Sequence, residues 1–208
     1  MKKYMIAIWT FCILSLNSVA LAASVPYVDV PPNHWALNAV TMLANSGYSI
    51  GYADNTFRGD RYITRYEFAG MMAQLFKQKT GTSITGHINP FNDLPSNHYF
   101  YKYVTTLAAN GIIGGYGDGT FRGDKALTRY EMAINLARLL AKSNVSVGSH
   151  INGNPFSDVP NNHFAYDSLI YLASLGITDT YGDGTFRGDR SATRYEAAVL
   201  IYKAAVLN

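Results

Sequence analysis

Apolar residues recur along this chain with the period of an amphipathic helix, in paired segments that a short loop separates. The first segment of the first pair carries Trp35, Ala36, Ala39, Val40, Leu43 and Ala44. The second segment carries Phe68, Met71, Met72 and Leu75. Because such spacing places one apolar stripe along a helix, each pair predicts a helix-loop-helix unit with its Met and Phe side chains in the core.

The helix pair occurs three times in the sequence. Asp29, Asp93 and Asp158 stand at equivalent positions, and a glutamate follows each of them after 38 residues without a gap. The copies are 64 and 65 residues apart, and the extra residue falls in a connector. An insertion confined to a connector indicates that the block is the structural unit and that the connector is a surface loop.

Each helix pair is too small to bury its own apolar face, so three pairs are expected to share one core. The predicted fold class is therefore all-α, with three tandem helix-loop-helix repeats packed as one pseudo-threefold helical body. The repeats are assigned to residues 27–85, 90–148 and 155–208. The connectors between them are polar and glycine-rich, and they are expected on the surface.

Local signals mark the ends of both helices in each copy. The first helix is predicted to begin at an asparagine N-cap and to end at a C′ glycine. The N-caps are Asn33, Asn97 and Asn162, and the glycines are Gly47, Gly111 and Gly176. The second helix is predicted to begin with a capping box, in which a threonine hydroxyl and a glutamate accept hydrogen bonds from backbone amides. The three boxes are Thr64 with Glu67, Thr128 with Glu131, and Thr193 with Glu196.

The loop between the helices reads YGDGTFRGD in copies two and three and YADNTFRGD in copy one. Asn55 replaces a glycine and predicts the left-handed conformation, which asparagine tolerates well. Ala53 replaces another glycine and indicates that no positive φ is required there. One phenylalanine per loop is expected to pack into the core and so hold the loop against it. These residues are Phe57, Phe121 and Phe186.

Every loop also contains the tripeptide RGD, which integrins read. It lies inside a long shared pattern, between the loop phenylalanine and a helix start four residues later. We therefore predict that its aspartates serve the loop and the helix start; these are Asp60, Asp124 and Asp189. An RGD-type adhesin is the alternative, and it requires the tripeptide at an exposed, mobile loop tip.

The first 22 residues differ from the rest of the chain. Lys2 and Lys3 precede an apolar run too short to span a bilayer comfortably, and Ala20-Leu21-Ala22 supplies the small residues that a signal peptidase reads. A signal peptide over residues 1–22 is favoured over an uncleaved membrane anchor. The remaining sequence has 15 basic residues, 14 acidic residues and no cysteine, so neither nucleic-acid binding nor disulfides are expected.

With these motifs the sequence resembles the S-layer homology (SLH) family. Copy one has VDVPPNHWA, GYADNTF and ITRYEFA, and the other copies repeat the pattern with NDLPSNHYF, GYGDGTF and LTRYEMA, then SDVPNNHFA, TYGDGTF and ATRYEAA. The resemblance implies a non-catalytic module, exported to the periplasm or cell surface, that binds cell-wall polymer through grooves between repeats. The implied polymer is peptidoglycan, with its attached acidic or amine-modified groups, or a secondary wall polysaccharide. The FRGD…TRYE variant resembles the kind found in two-membrane bacteria, where SLH modules hold outer-membrane proteins to the wall.

Arg65, Arg129 and Arg194 occupy the first turn of the second helices. A cation there opposes the helix dipole and costs roughly a few tenths of a kcal/mol when solvated. It is either a surface charge, which can pair with the RGD aspartate, or part of an anion site. In the anion site, the arginine and the free amides at N1 and N2 hold a carboxylate of the wall polymer together. The anion site is favoured, and the resemblance supplies most of its support.

An aromatic column follows the shared histidine and consists of Trp35, Tyr99 and Phe164. These rings either stack on sugars, as the resemblance implies, or are buried against the neighbouring repeat. Only copy one carries the tryptophan common in the family, so the strongest site is expected there, with Arg65 as its cation.

For two further columns of equivalent residues, the aspartates and the histidines, a structural role is favoured. Asp29, Asp93 and Asp158 either bind sugar hydroxyls or an amine, or accept backbone amides ahead of the helix, which is favoured. A packed or capping imidazole is favoured over a shared metal for His34, His98 and His163.

The sequence predicts no enzyme, cofactor or metal site, because an enzyme needs convergent groups found once, in one cleft, and here every polar set is repeated. The chain is expected to be an SLH triplet without a cargo domain, which leaves an envelope protein as a further candidate partner. A surface-layer assembly subunit is the remaining alternative and normally needs a large assembly domain.

Overall fold

The computed structural model describes residues 27–48, 51–146, 151, 153–178 and 180–207, so the predicted signal peptide lies outside the described residues. Six helices fill this part of the chain: α1 (Leu37–Asn45), α2 (Arg65–Thr80), α3 (Tyr101–Ala109), α4 (Arg129–Lys142), α5 (Tyr166–Ser174) and α6 (Arg194–Ala205). Within the described ranges, strand pairing is limited to three isolated bridges. The all-α prediction of three helix pairs is confirmed.

The second helices α2, α4 and α6 begin with the predicted capping boxes. In α2 the Thr64 hydroxyl accepts a hydrogen bond from the Glu67 amide at 3.2 Å, and the Glu67 carboxylate accepts one from the Thr64 amide at 2.9 Å. The same pair of bonds begins α4 and α6. Each box satisfies two backbone amides that a helix start otherwise leaves open.

The first helices α1, α3 and α5 begin later than predicted, so the asparagine N-caps are wrong. In copy one, residues 31–36 form turns in which the His34 amide donates to the Pro31 carbonyl at 3.0 Å and the Leu37 amide donates to the His34 carbonyl at 2.9 Å. The Ala36 amide donates to Nδ1 of His34 at 3.2 Å. The predicted capping imidazole is thereby confirmed, and His98 and His163 make the same bond.

The C′ glycines and the loop glycines behave as predicted. Gly47, Gly111 and Gly176 have φ of 70°, 70° and 67°. Asn55 has φ of 59°, and the glycines at its position, Gly119 and Gly184, have φ of 79°. A side chain at these positions is strained unless it tolerates the left-handed region, as asparagine does. The three loop phenylalanines are fully buried, as predicted.

The second helices form the centre of the molecule and the first helices surround them. Helix α2 contacts α4 and α6, and α4 contacts α6. Each first helix packs on the second helix of the preceding repeat: α3 on α2, α5 on α4, and α1 on α6. Because the first repeat also packs on the last, the three repeats close into a ring with one shared core, as predicted.

A cycle of backbone hydrogen bonds marks the pseudo-threefold axis. The Ile63 amide donates to the Ala192 carbonyl at 3.0 Å, Ala192 donates to Leu127 at 2.9 Å, and Leu127 donates to Ile63 at 3.0 Å. All three side chains are buried. Each repeat therefore needs both others to satisfy the backbone ahead of its second helix.

Arginine and glycine, rather than aspartate, are the structural residues of each RGD tripeptide. A Cβ on Gly59 would lie 2.1 Å from the Tyr195 ring of the neighbouring repeat, and the Tyr195 amide donates to the Gly59 carbonyl at 2.9 Å. Arg58 has φ of 53°. The Asp60 side chain is exposed and makes no hydrogen bond with any described residue. The prediction that the RGD aspartates serve the loop is wrong, because the loop is held by other contacts.

Candidate functional site

Three equivalent clusters of tyrosine, glutamate and arginine lie between the repeats, and two of them line cavities. Each cluster is called a groove here and is numbered by the repeat that supplies its tyrosine and glutamate. Groove 1 combines Tyr52 and Glu67 with Arg194 of the third repeat and Tyr99 of the second. Groove 3 combines Tyr181 and Glu196 with Arg129 and Trp35. Groove 2 contains Tyr116, Glu131 and Arg65.

The three helix-start arginines are buried or nearly buried at these grooves. In groove 1 the Nε of Arg194 donates to the Phe57 carbonyl at 2.9 Å, and its Nη1 donates to Glu67 at 3.0 Å. Arg129 makes the equivalent bonds to Phe186 and Glu196, at 3.0 Å each. Arg194 is 3% exposed, so the surface-charge interpretation is excluded for it. Each arginine pairs with a groove glutamate instead of an RGD aspartate.

The helix amides beside these arginines are not free, so that part of the predicted anion site is wrong. The Arg194 amide donates to the Arg61 carbonyl and the Tyr195 amide to the Gly59 carbonyl, each at 2.9 Å. The other two helices repeat the arrangement with the carbonyls of the adjacent loop. The neighbouring repeat thus satisfies the N1 and N2 amides, and only the guanidinium groups are left to meet a ligand.

The guanidinium nitrogen Nη2 has a described backbone partner in groove 2. In groove 2 the Nη2 of Arg65 donates to the Gly114 carbonyl at 2.6 Å. In groove 1 the Nη2 of Arg194 is buried and has no hydrogen-bond partner among the described residues. The position equivalent to Gly114 in repeat one is residue 50, which lies outside the described residues.

Glu67 of groove 1 is held in the charged form by its capping amide and two arginines. Burial acts to raise the pKa of Glu67, but the hydrogen bond from the Thr64 amide and the charges of Arg194 and Arg61 outweigh it and hold the pKa below its ordinary value. Arg190 adds the second arginine to Glu196 in groove 3. Grooves 1 and 3 therefore each hold two arginines for one glutamate, which leaves net positive charge for an anionic oxygen.

The aromatic column is exposed, so its predicted burial alternative is wrong. Trp35, Tyr99 and Phe164 are 64%, 65% and 74% exposed. Trp35 lines groove 3 with Arg129, and Tyr99 lines groove 1 with Arg194. The expected pairing of Trp35 with Arg65 is also wrong, because groove 3 takes its ring from repeat one and its arginine from repeat two.

The aspartates of the third column accept amides from the loop. Asp29 accepts hydrogen bonds from the Phe57 and Arg58 amides, both at 2.7 Å. Asp93 and Asp158 make the same pair of bonds in their own repeats. Both carboxylate oxygens therefore accept amides of the loop. The amides they accept are not those just ahead of the first helix.

Neither a metal cluster nor a membrane-spanning helix is present among the described residues. No group of three or more His, Cys, Asp or Glu side chains in these ranges could hold a metal ion. No helix in the same ranges is both long and apolar enough to cross a membrane.

Comparison with known proteins identifies relatives of the chain over short parts of their length. The cellulosome-anchoring protein of Acetivibrio thermocellus is 32% identical over 157 residues, which is 74% of this chain and 33% of that protein. The outer membrane protein SlpA of Deinococcus radiodurans is 43% identical over 118 residues, 54% of this chain and 10% of its own. The S-layer protein sap of Bacillus anthracis is 26% identical over 189 residues, 89% of this chain and 22% of its own. This chain thus spans a third or less of each.

A family model provides the wider match. The model described as S-layer homology domain matches residues 26–69, 90–133 and 155–198, more than half of the chain. Each matched segment contains one first helix and the start of one second helix, including the helix-start arginine. The chain therefore belongs to the S-layer homology domain family, with three copies of the domain closed into one ring.

Proposed function

We propose that this protein is a non-catalytic anchoring module that binds cell-wall polymer in the grooves between its repeats. The proposed ligand is peptidoglycan with its attached acidic groups, or a secondary wall polysaccharide. Membership in the S-layer homology family and the similarity to a cellulosome-anchoring protein support cell-surface attachment. The observation that carries the binding site is the Arg194–Glu67 pair of groove 1, which lines a cavity together with the exposed Tyr99 ring.

The groove chemistry suits an acidic sugar. A guanidinium nitrogen donates strongly to an anionic oxygen, and the strength rises where water is excluded. Exposed rings at the groove rim supply apolar faces against which sugar rings can lie. The glutamate is already held by arginine, so it supports the cation and is not available as a catalytic acid.

A two-membrane envelope is the proposed setting. The two outer membrane relatives named SlpA, from Deinococcus radiodurans and Thermus thermophilus, are 43% identical over 118 residues and 52% identical over 50 residues. These identities exceed the 32% of the cellulosome-anchoring protein over its longer match. They support a periplasmic module that meets peptidoglycan, with an envelope protein as a further partner.

The proposal contains no catalytic step. The polar sets occur once per repeat and are held by the hydrogen bonds that build the fold. One relative is named amylopullulanase, but this chain matches 9% of its length. Its name therefore does not assign a catalytic function to the matched region.

The test is sedimentation of the protein with purified peptidoglycan sacculi at physiological salt. Variants at the exposed rings are preferable to arginine variants, because the arginines also tie the repeats together. Replacing Trp35, Tyr99 and Phe164 together by alanine is expected to weaken sedimentation by about tenfold or more, since ring contacts contribute up to ~1 kcal/mol each.

Tyr62→Ala is the matched control. Tyr62 is 53% exposed, and alanine and serine stand at its position in the other repeats, as Ala126 and Ser191. This variant should bind sacculi like the parent. Unchanged sedimentation of the folded triple variant, or no sedimentation of the parent protein, would contradict the proposed function.

A further inference from the structure

Charge is divided unequally between two parts of each repeat. The motif blocks, residues 27–67, 91–131 and 156–196, run from the start of a repeat to the glutamate of its capping box. They hold 10 basic residues and all 14 acidic residues of the chain. The tails, residues 68–90, 132–155 and 197–208, continue through the second helix, and they hold five basic residues and no acidic residue. The small net charge of the chain therefore conceals a basic part.

The fold brings the basic residues of the tails to one end of the molecule. The second helices start together at the cycle of backbone hydrogen bonds on the axis, and α2, α4 and α6 contact one another. Their last turns therefore lie at the opposite end. There the Nζ of Lys79 in α2 donates to the carbonyls of Ala205 at 3.3 Å and Leu207 at 2.5 Å, at the end of α6. The last turns of the three second helices are called the basic end here.

Three cations of the basic end are exposed and unpaired within the described part of the chain. Lys77, Arg138 and Lys142 are exposed, and none of them forms an ion pair with a described carboxylate. Cations in the last turn of a helix complement its dipole, which accounts for lysines at this end. The dipole does not account for the lack of acidic residues in all three tails, because a glutamate one turn before a lysine stabilises a helix.

Apolar atoms are exposed beside these cations. Val206 directly follows α6 and is 55% exposed, and it lines a cavity of about 600 Å³ together with Met42 and Lys77. An anionic membrane offers partners for both kinds of group, because its charged headgroups lie just outside an apolar layer. Lysine is a flexible point charge that needs no fixed geometry, so scattered lysines suit a headgroup layer better than a ligand of defined shape.

We infer that the basic end binds the surface of an anionic phospholipid membrane. Headgroup phosphates accept hydrogen bonds from Lys77, Arg138 and Lys142, and Val206 lies at the boundary between headgroups and acyl chains. The groove arginines and glutamates stand at the starts of the second helices, so a membrane at the basic end leaves them accessible. The inference is independent of the proposed function, because it uses none of the arginines, glutamates or exposed rings of the grooves.

Sedimentation with lipid vesicles provides the test. Residues 23–208 contain the whole ring and exclude the predicted signal peptide, whose apolar run would itself bind lipid. Vesicles of equal parts phosphatidylglycerol and phosphatidylcholine are compared with vesicles of phosphatidylcholine alone. The protein is expected to bind the anionic vesicles at about 50 mM salt and to lose most of this binding at about 500 mM salt, because salt screens exposed charges. It should not bind phosphatidylcholine alone.

A pair of double variants separates the basic end from net charge. Lys77→Gln with Lys142→Gln removes two exposed charges from the basic end, and partitioning onto anionic vesicles should fall about tenfold. Lys102→Gln with Lys125→Gln is the matched control, because it removes two exposed charges from the motif blocks. The control should stay within about twofold of the parent, since attraction to the membrane fades over a screening length. Both variants are first checked for unchanged melting.

Three results would overturn the inference. The first is a parent protein that does not bind anionic vesicles at low salt. The second is an equal loss of binding in both double variants, which would reflect net charge alone. The third is binding of polyglutamate, but not of vesicles, in a way that Lys77 and Lys142 control, which would identify an acidic polypeptide as the partner. Sedimentation with sacculi is a separate measurement, and the basic-end variant should match the parent there.

Discussion

The arginine of the RGD tripeptide shows how single residues fix the loop of a repeat. Arg58 is held in the left-handed region by hydrogen bonding of its amide to Asp29, while its guanidinium lies 3.9 Å from the centre of the Tyr52 ring. It also pairs with Asp54, whose pKa is lowered to about 2 by the Thr56 hydroxyl and by Arg58 itself. An arginine fixed in this way does not meet the mobile loop tip that the adhesin alternative requires.

We predict that Gly59→Ala destabilises the protein. The added Cβ would meet the Tyr195 ring at 2.1 Å, so the ring or the loop must shift and the contact between repeats one and three must open. The expected loss is about 1–3 kcal/mol in the free energy of unfolding, measured by urea denaturation.

Gly117→Ala is the control for this prediction. A Cβ on Gly117 meets no atom within 4 Å, and alanine stands at the same position of repeat one, as Ala53. Its unfolding free energy should stay within about 0.5 kcal/mol of the parent. Equal stability of the two variants would mean that the glycine is not required by the tyrosine contact.

At the scale of elements, the two helices of a repeat begin in different ways. The second helices carry complete capping boxes and begin where the sequence predicts. The first helices begin at Leu37, Tyr101 and Tyr166, after turns in which a histidine accepts an amide. Sequence signals were sufficient for the second helices because threonine and glutamate act within one helical turn. The same kind of signal misplaced the start of the first helices, because the asparagine lies in the turn before the helix and not at its N-cap.

We predict that Thr64→Ala destabilises the protein by about 0.5–2 kcal/mol, because the Glu67 amide loses its acceptor at the start of α2. Thr64→Ser keeps the hydroxyl and should be within about 0.5 kcal/mol of the parent. Thermal denaturation of the three proteins side by side measures both effects. A serine variant as unstable as the alanine variant would indicate that the methyl group, and not the cap, is what matters.

At the scale of the whole molecule, the ring explains why three copies fold as one body. Each first helix packs on the second helix of another repeat, and each backbone at the axis bonds to the other two repeats. A repeat removed from the ring therefore loses the surfaces that cover both of its helices.

We predict that residues 88–150 expressed alone do not unfold cooperatively. This segment contains α3 and α4 but lacks α2 and α5, on which they pack. Circular dichroism during heating should show no sharp transition, in contrast to residues 27–208.

A circular permutant is the control for this experiment. New termini are placed between residues 81 and 82, and the old termini are joined by a copy of the connector 81–90. All contacts between repeats are kept, so a single sharp transition is expected. A sharp transition in the isolated segment would show that one repeat can fold by itself.

The sequence alone determined the features that depend on local or periodic signals. These are the three repeats, the second helix starts, the C′ glycines, the loop conformation at Asn55 and the buried phenylalanines. Each follows from contacts within a few residues or from a stripe along one helix, so a pattern in the chain is enough. The helix-start arginines could be singled out in the same way, because a cation at that position is unfavourable without a partner.

Only the tertiary structure decided which residues meet in a groove. The Phe57 carbonyl accepts from Arg194 across 137 residues of sequence, and Trp35 of repeat one meets Arg129 of repeat two in groove 3. Closure of the ring sets these pairings, and it also gives the N1 and N2 amides to neighbouring carbonyls. Three nearly identical motifs therefore yield grooves with different linings, because each arginine meets a glutamate of another repeat, which no local pattern encodes.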